Sequence, residues 1–373
     1  MVHADTVNVS SPNVSPGIKS KNRFAAEPSA RALALFVAGY REPKLGRSLF
    51  ELAITAVPLA ALWIGMWYSL ELGYWLTLLL AIPASGFLLR LFMIQHDCGH
   101  GAFFRNRQMN DWLGRTLGVV TLTPYEVWRK THALHHATTG NLDRRGMGDI
   151  DTLTVHEFSE RSFWGRIAYR IYRNPVVMFA IGPAYLFILR QRLPIGMMGI
   201  GWRPWASALG TNLAIAVMVA GLIWLVGATA FFLIHIPIVL GAATAGVWLF
   251  FVQHQFEGTQ WSRDGHWDFH EAALYGSSHY DLPPVLRWFT GNIGMHHLHH
   301  LCSRIPHYRL PQILRDRPDL AQIGRITLWD SLGAARLALW DEGGEKLVSF
   351  REARAGARVP LPLGGGMVSE PAE

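Results

Sequence analysis

Residues 52–70 carry no formal charge, residues 72–89 carry none, and a third uncharged run covers residues 204–256. A helix needs about 20 apolar residues to cross a bilayer. The first two runs fit one span each, and the third, broken at "LVGATA" around Gly227, fits two. Spans are therefore expected near residues 50–70, 73–95, 205–226 and 229–253. Composition agrees, since 50% of side chains are hydrophobic and only 16% are charged, a more apolar balance than that of an average soluble domain.

A shorter run, "NPVVMFAIGPAYLFIL" at residues 174–189, is interrupted by Gly182 and Pro183 and is expected to be interfacial or re-entrant. If it crossed, the histidine-rich stretches on either side of it would face opposite compartments. Orientation follows from arginine and lysine placement. The loop between the second and third spans holds Arg105, Arg107, Arg115, Arg129, Lys130, Arg144 and Arg145, whereas the turns near Leu72 and Gly227 hold none. That loop and both termini are expected on the cytoplasmic side. The net charge of +7 is then a topology signal, reinforced by anionic lipid, and calls for no nucleic-acid partner. Cys98 and Cys302 are too few for a disulfide framework and would sit in a reducing compartment. The first 30 residues lack the apolar core of a cleavable signal peptide, and no internal repeat is visible. Residues 1–28 and 358–373, rich in Ser, Asn, Pro or Gly, are expected to be disordered tails flanking one domain at 29–357.

Three histidine-rich stretches fall on the cytoplasmic side of this topology. "HDCGH" places His96 and His100 one helical turn apart at the end of the second span. "HALHH" supplies His132, His135 and His136, and "HHLHH" supplies His296, His299 and His300, both at i, i+3, i+4 spacing, with His297 off that face. Any one stretch is equally readable as a solvated turn or an adventitious metal trap. Together they hold eight of the 17 histidines, a concentration that independent core or surface histidines would rarely produce. Neutral imidazole favours transition metals over Mg or Ca, and eight ligands exceed one ion, so a dinuclear site is the simplest reading.

HDCGH, HALHH and HHLHH, in that order around two pairs of spans, resemble the three boxes of the integral-membrane fatty-acid desaturases. The flanks "VWLFFVQHQFEGTQW", "AALYGSSHYDLPPVLRWFTGNIGMHHLHH" and "LALWDEGGEKLVSFR" are similar to bacterial acyl-lipid desaturases of the omega-6/delta-12 and Bacillus delta-5 type, over about residues 45–352. The resemblance implies an all-α integral membrane protein, with four transmembrane helices and a helical cytosolic cap around a histidine-rich dimetal site. It also implies two iron ions, O2 as co-substrate, and a cis double bond introduced into the acyl chain of a membrane lipid, with a bacterial inner membrane as the expected location. Iron paired this way supplies oxidising power for unactivated C–H bonds, provided water and stray reductants are excluded. No nucleotide motif and no haem module occurs, so electrons must come from a ferredoxin- or flavodoxin-like protein, which a basic cytosolic face would suit.

His254, ending the fourth span at the depth of the boxes, is where the family's extra ligand would fall. An all-imidazole ligand set brings no negative charge, so carboxylates that orient the rings become valuable; Asp97, Asp149, Asp151 and Glu257 are candidates, each equally readable as an ordinary loop charge. Asn292 and His297 are weaker candidates for such support. His235, about 28 Å before His254 along a helix, belongs near the opposite membrane surface. His156, His266, His270, His279 and His307 read as loop residues, and Arg90 as a snorkelling or headgroup-facing cation. Cys98 and Cys302 read as small buried side chains; Trp128, Trp248, Trp261, Trp267 and Trp288 could line an acyl tunnel, although core or belt packing is the commoner role. The competing readings are a hydroxylase or ketolase of the same superfamily acting on a lipid or carotenoid, and a membrane metal transporter. Transporters hold their ligands near the bilayer midplane, not at span ends. A zinc protease is weaker still, because HExxH is absent.

Overall fold

Four helices of the computed structural model, which describes residues 29–146 and 148–356, are long and apolar enough to cross a membrane: Leu45–Leu72, Tyr74–His100, Trp202–Val226 and Ala228–His254. The tails at 1–28 and 358–373 lie outside the described residues. Each pair of spans turns on a single glycine, Gly73 (φ 143°) and Gly227 (φ 82°), conformations that a side chain rarely adopts. The helices overrun the expected boundaries where polar residues leave the membrane: the first begins at Leu45, and the second continues to His100. Proline within the fourth span removes one donor, leaving the Leu233 carbonyl without its helical partner at Pro237, and the Tyr74 hydroxyl of the second span donates to that carbonyl at 3.3 Å.

The first, second and fourth spans form the bundle core, with Met66, Ala84, Leu88, Ile234, Ile238 and Val252 buried between them. Small residues let these backbones approach closely, as packing inside a membrane requires. The third span stands at the edge, with none of its apolar window buried.

Segment 174–189 belongs to a bent pair, Phe163–Tyr172 and Val177–Arg192, angled by 58°. The break falls at Asn174-Pro175, since the residue before a proline is driven out of helical geometry. His136 precedes this pair and His299 follows the last two spans, yet their Nε2 atoms are 3.1 Å apart. An even number of crossings separates them, and Trp202–Val226 with Ala228–His254 supplies it; the bent pair enters and returns on one side.

The segments outside the spans form a cap over one end of the bundle. It is mainly helical, with two small sheets that the sequence reading did not anticipate. Leu153–Thr154 pairs in parallel with Leu339–Asp341, which pairs antiparallel with Lys346–Val348; His279–Asp281 pairs in parallel with Arg325–Thr327. Strands of two or three residues are too short to show an alternating pattern.

Candidate metal centre

Four helix ends deliver the histidines. The second span stops at Gly101, presenting His96 and His100 on its last turn. Helix Tyr125–Thr138 carries His132, His135 and His136, and is clamped to that turn by the Tyr125 hydroxyl, which donates to the Cys98 carbonyl at 2.9 Å. The fourth span ends at His254. Its Gln253 carbonyl accepts from the Ser278 N–H at 2.9 Å, and the Ser278 carbonyl accepts from the N–H groups of His296 and His297 at 3.2 and 3.3 Å. Those contacts cap the short helix His296–Leu301, whose first donors would otherwise be orphaned, and set His296 beside His254.

Nine imidazoles converge in two groups: His96, His100, His132, His136 and His299 in one, and His135, His254, His296 and His300 in the other. Within each group the candidate ligand nitrogens all lie within 4.8 Å of one another. Nε2–Nε2 separations are 3.1 Å for His132–His136 and His136–His299, 3.1 Å for His135–His254 and His296–His300, and 2.9 Å for His254–His296. The Nε2 atoms of His96 and His100 are buried with no hydrogen-bond partner among the described residues. Burial first, and then repulsion among neighbouring imidazoles, holds His132, His136, His296, His299 and His300 well below the ordinary histidine range. Neutral rings packed this closely direct lone pairs at shared points without enough protons to pair them. Two transition-metal ions, one per group, would satisfy that arrangement.

Contacts around the rings agree with ligation through Nε2. The Asp149 carboxylate hydrogen-bonds His135 Nδ1, and the Gly276 carbonyl accepts from His254 Nδ1 at 3.3 Å. Such bonds fix the tautomer that leaves Nε2 free. Asp97 lies beside His96, with 3.6 Å between its Oδ1 and Nδ1 of that ring. Glu257, Asp151, Asn292 and His297 do not support the rings directly. Glu257 is exposed in the turn after the fourth span, because the chain there has already left the helix. The Asp151 backbone meets Tyr172, Tyr169 and Arg173, and Asn292 Nδ2 donates to the His307 carbonyl at 3.1 Å. His297 points off the ligand face and donates from Nε2 to the Leu320 carbonyl at 3.0 Å; burial lowers its pKa to about 3.

Arg90 and His307 depart from expectation. Arg90 is 1% exposed, ion-paired with Glu51 of the first span, bonded to the Trp288 carbonyl, and 4.1 Å from the Trp288 ring centroid. His307 is equally buried, with Nδ1 2.8 Å from Asp97 Oδ2 and Nε2 3.9 Å from Glu51 Oε2. Arg47, half-exposed, closes the cluster against Glu51 at 2.6 Å. One acidic and one basic residue on adjacent spans carried a readable signal, because intramembrane charges pair. His235 is half-buried within the fourth span, with its ring stacked on Phe231, and Cys98 is buried as a free thiol.

A cavity of about 730 Å³ opens beside the histidines. Leu88, Phe92, Met178, Ala242, Val247 and Leu249 line its length, and His96, His132 and His296 from both groups also line it. Trp128 alone of the five named tryptophans contributes to its wall. An apolar slot abutting a cluster of neutral imidazoles suits a hydrocarbon chain held against a metal centre.

Comparison with known proteins points the same way. The family model described as fatty acid desaturase matches residues 72–330. A fatty acid desaturase from Bacillus subtilis (strain 168) is 42% identical over 327 residues, covering 88% of this chain and 92% of that one. An sn-1 acyl-lipid omega-3 desaturase (ferredoxin) from Synechocystis sp. is 30% identical over 239 residues, covering 59% and 61% respectively. An sn-1 oleoyl-lipid 12-desaturase from Anabaena variabilis is 27% identical over 290 residues, covering 69% and 74%. With histidines, spans and cavity arranged as described, and with a match over most of its length, the chain belongs to the fatty acid desaturase family.

Proposed function

We propose that this integral membrane protein introduces a cis double bond into the acyl chain of a membrane lipid, using O2 and two electrons at a pair of irons held by the nine converging histidines. The observation that carries the reading is the cavity: its walls are mainly apolar, and His96, His132 and His296 stand in its lining. When bound, the iron pair supplies the oxidising power to remove hydrogen from an unactivated carbon. One O2, two electrons, two protons and the two hydrogens of a CH2–CH2 unit balance as two waters and the alkene.

Everything else falls to the polypeptide. The helix ends hold His96, His100, His132, His136 and His299 around one point and His135, His254, His296 and His300 around the other. Asp149 and the Gly276 carbonyl keep the rings of His135 and His254 in the ligating tautomer. The cavity aligns the chain and keeps bulk water from it, converting an encounter into a positioned reaction. Electrons are supplied by a separate ferredoxin- or flavodoxin-like protein, in keeping with ferredoxin in the name of the Synechocystis relative. The arginine- and lysine-rich loops support a cap on the cytoplasmic side of a bacterial inner membrane.

Expression in a host lacking polyunsaturated lipids, followed by gas chromatography and mass spectrometry of its fatty acids, tests the reading. A new acid two mass units lighter than its precursor is expected. A product sixteen units heavier would mean hydroxylation, and no new product would contradict an acyl-chain enzyme.

A further inference from the structure

We propose that His307 is a positioning residue for the metal ion of the five-histidine group: it holds one oxygen of Asp97 so that the other can support His96, and it links that ligand to Glu51 of the first span. The inference rests on the reading of the nine histidines as a dimetal site. His96 shows why support is needed. Its Nδ1 and Nε2 are both buried without a hydrogen-bond partner among the described residues, a state that the other eight converging rings do not share. A metal ion would take Nε2, and the Nδ1–H then needs an acceptor. Asp97, 1% exposed, sets its Oδ1 3.6 Å from that nitrogen, slightly beyond hydrogen-bond reach. The other group shows the completed form of the same device, where the Asp149 carboxylate bonds His135 Nδ1.

A buried carboxylate beside a ligand ring is useful only if it faces that ring, and His307 fixes how it faces. Asp97 Oδ2 accepts both the His307 backbone N–H and His307 Nδ1, each at 2.8 Å. Two donors on one oxygen hold the plane of the carboxylate and leave Oδ1 on the His96 side. His307 is itself immobilised. Its ring lies parallel to that of Phe103 with centroids 6.3 Å apart, and its carbonyl accepts from Asn292 Nδ2 at 3.1 Å. Its Nε2 stands 3.9 Å from Glu51 Oε2, the same oxygen that pairs with Arg90. A line of buried polar groups therefore runs from Arg90 and Glu51 through His307 and Asp97 to His96. Groups that orient a ligand ring in this way strengthen metal binding without touching the metal.

Cobalt titration of the full-length, metal-free protein in detergent tests this. Bound Co2+ is followed by equilibrium dialysis and by its ligand-field absorption, and the wild type should take up two ions. His307→Gln places its amide nitrogen where Nε2 stood, so it keeps a donor toward Glu51 and loses the side-chain bond to Asp97. It should weaken one of the two ions about tenfold and leave the other unchanged. His307→Asn places its amide nitrogen where Nδ1 stood and should restore most of the loss. Asp97→Asn should weaken the same ion by about 10- to 100-fold, and adding His307→Gln to it should do little more, because His307 acts through Asp97. A merely structural role would weaken both ions together or add in full to the effect of Asp97→Asn, and either result would overturn the proposal. So would a His307→Gln variant that binds both ions as the wild type does, or a His307→Asn variant as weak as His307→Gln. Should His307→Gln fail to fold, Asp97→Asn decides alone: it must weaken one ion and spare the other. A folded wild type that binds no Co2+ would instead contradict the dimetal reading itself.

Discussion

His307 donates from Nδ1 to the Asp97 carboxylate at 2.8 Å, tying residues 210 positions apart in sequence at the edge of the candidate metal centre. The same carboxylate oxygen accepts the His307 backbone N–H at 2.8 Å, and Glu51 and Arg90 lie immediately behind. This buried charge cluster joins the first two spans to the cap.

Removing one charge from that cluster should be severe. Arg90→Leu leaves the Glu51 carboxylate buried without its main partner, and Glu51→Leu leaves the guanidinium so; either should cost about 3–5 kcal/mol. The double variant should recover most of the loss, because no unpaired charge remains. Thermal melts in detergent check this, and a double variant as unstable as the sum of the singles would show that the pair is not a unit.

His307 also predicts a pH dependence. Burial alone would lower its pKa, but the Asp97 and Glu51 carboxylates outweigh burial and raise it above the ordinary histidine value. A group whose folded pKa is raised contributes stability that is complete below its unfolded pKa, near 6.5, and is lost as pH rises through the folded value. His132, His136, His296, His299 and His300 have values lowered well below the ordinary one by burial. The melting temperature of metal-free protein should therefore fall as pH rises above the ordinary histidine value of about 6.5, and His307→Gln should flatten the slope. A slope unaffected by the substitution would contradict the assignment.

Within "HHLHH" the four histidines should separate cleanly. His297→Gln keeps a donor for the Leu320 carbonyl and should retain metal and activity within a few-fold. His299→Ala removes a member of the five-histidine group and should lose both. Asp149→Asn should lower metal affinity or activity by about 10- to 100-fold, the usual effect of disturbing a bond that orients a ligand ring. Metal content per chain, measured with activity, decides each case.

The cavity should respond to bulk. Ala243 lines it, and Ala243→Phe should fill part of its length and reduce turnover of long acyl chains by about tenfold or more while metal content is unchanged. Product profiles across chain lengths are the measurement; an unaltered profile would place the acyl chain elsewhere.

The sequence exposed much of this because the information was local. Spans follow from uncharged length, and His132, His135 and His136 follow from helical spacing. His254 was legible from its place at the end of a span. Contacts with the cap were not legible: Arg90 can be matched by charge with Glu51 on the adjacent span, but the Trp288 carbonyl and ring around it appear only in the fold. His307 reads as a loop residue for the same reason. Glu257 and Asp149 look alike as loop carboxylates, and only the folded chain shows which one faces a ligand ring. The cap strands are too short to give a periodic signal, and two of their three pairings join segments far apart along the chain.

Iron content of the purified, gently extracted protein is the most direct test of the two-group arrangement. Inductively coupled plasma mass spectrometry should find two irons per chain, and His136→Ala and His300→Ala, one from each group, should each reduce that number with the protein still inserted and folded. A folded, catalytically active wild type that holds no iron, or one that keeps its full complement after both substitutions, would contradict a dimetal centre built from these histidines.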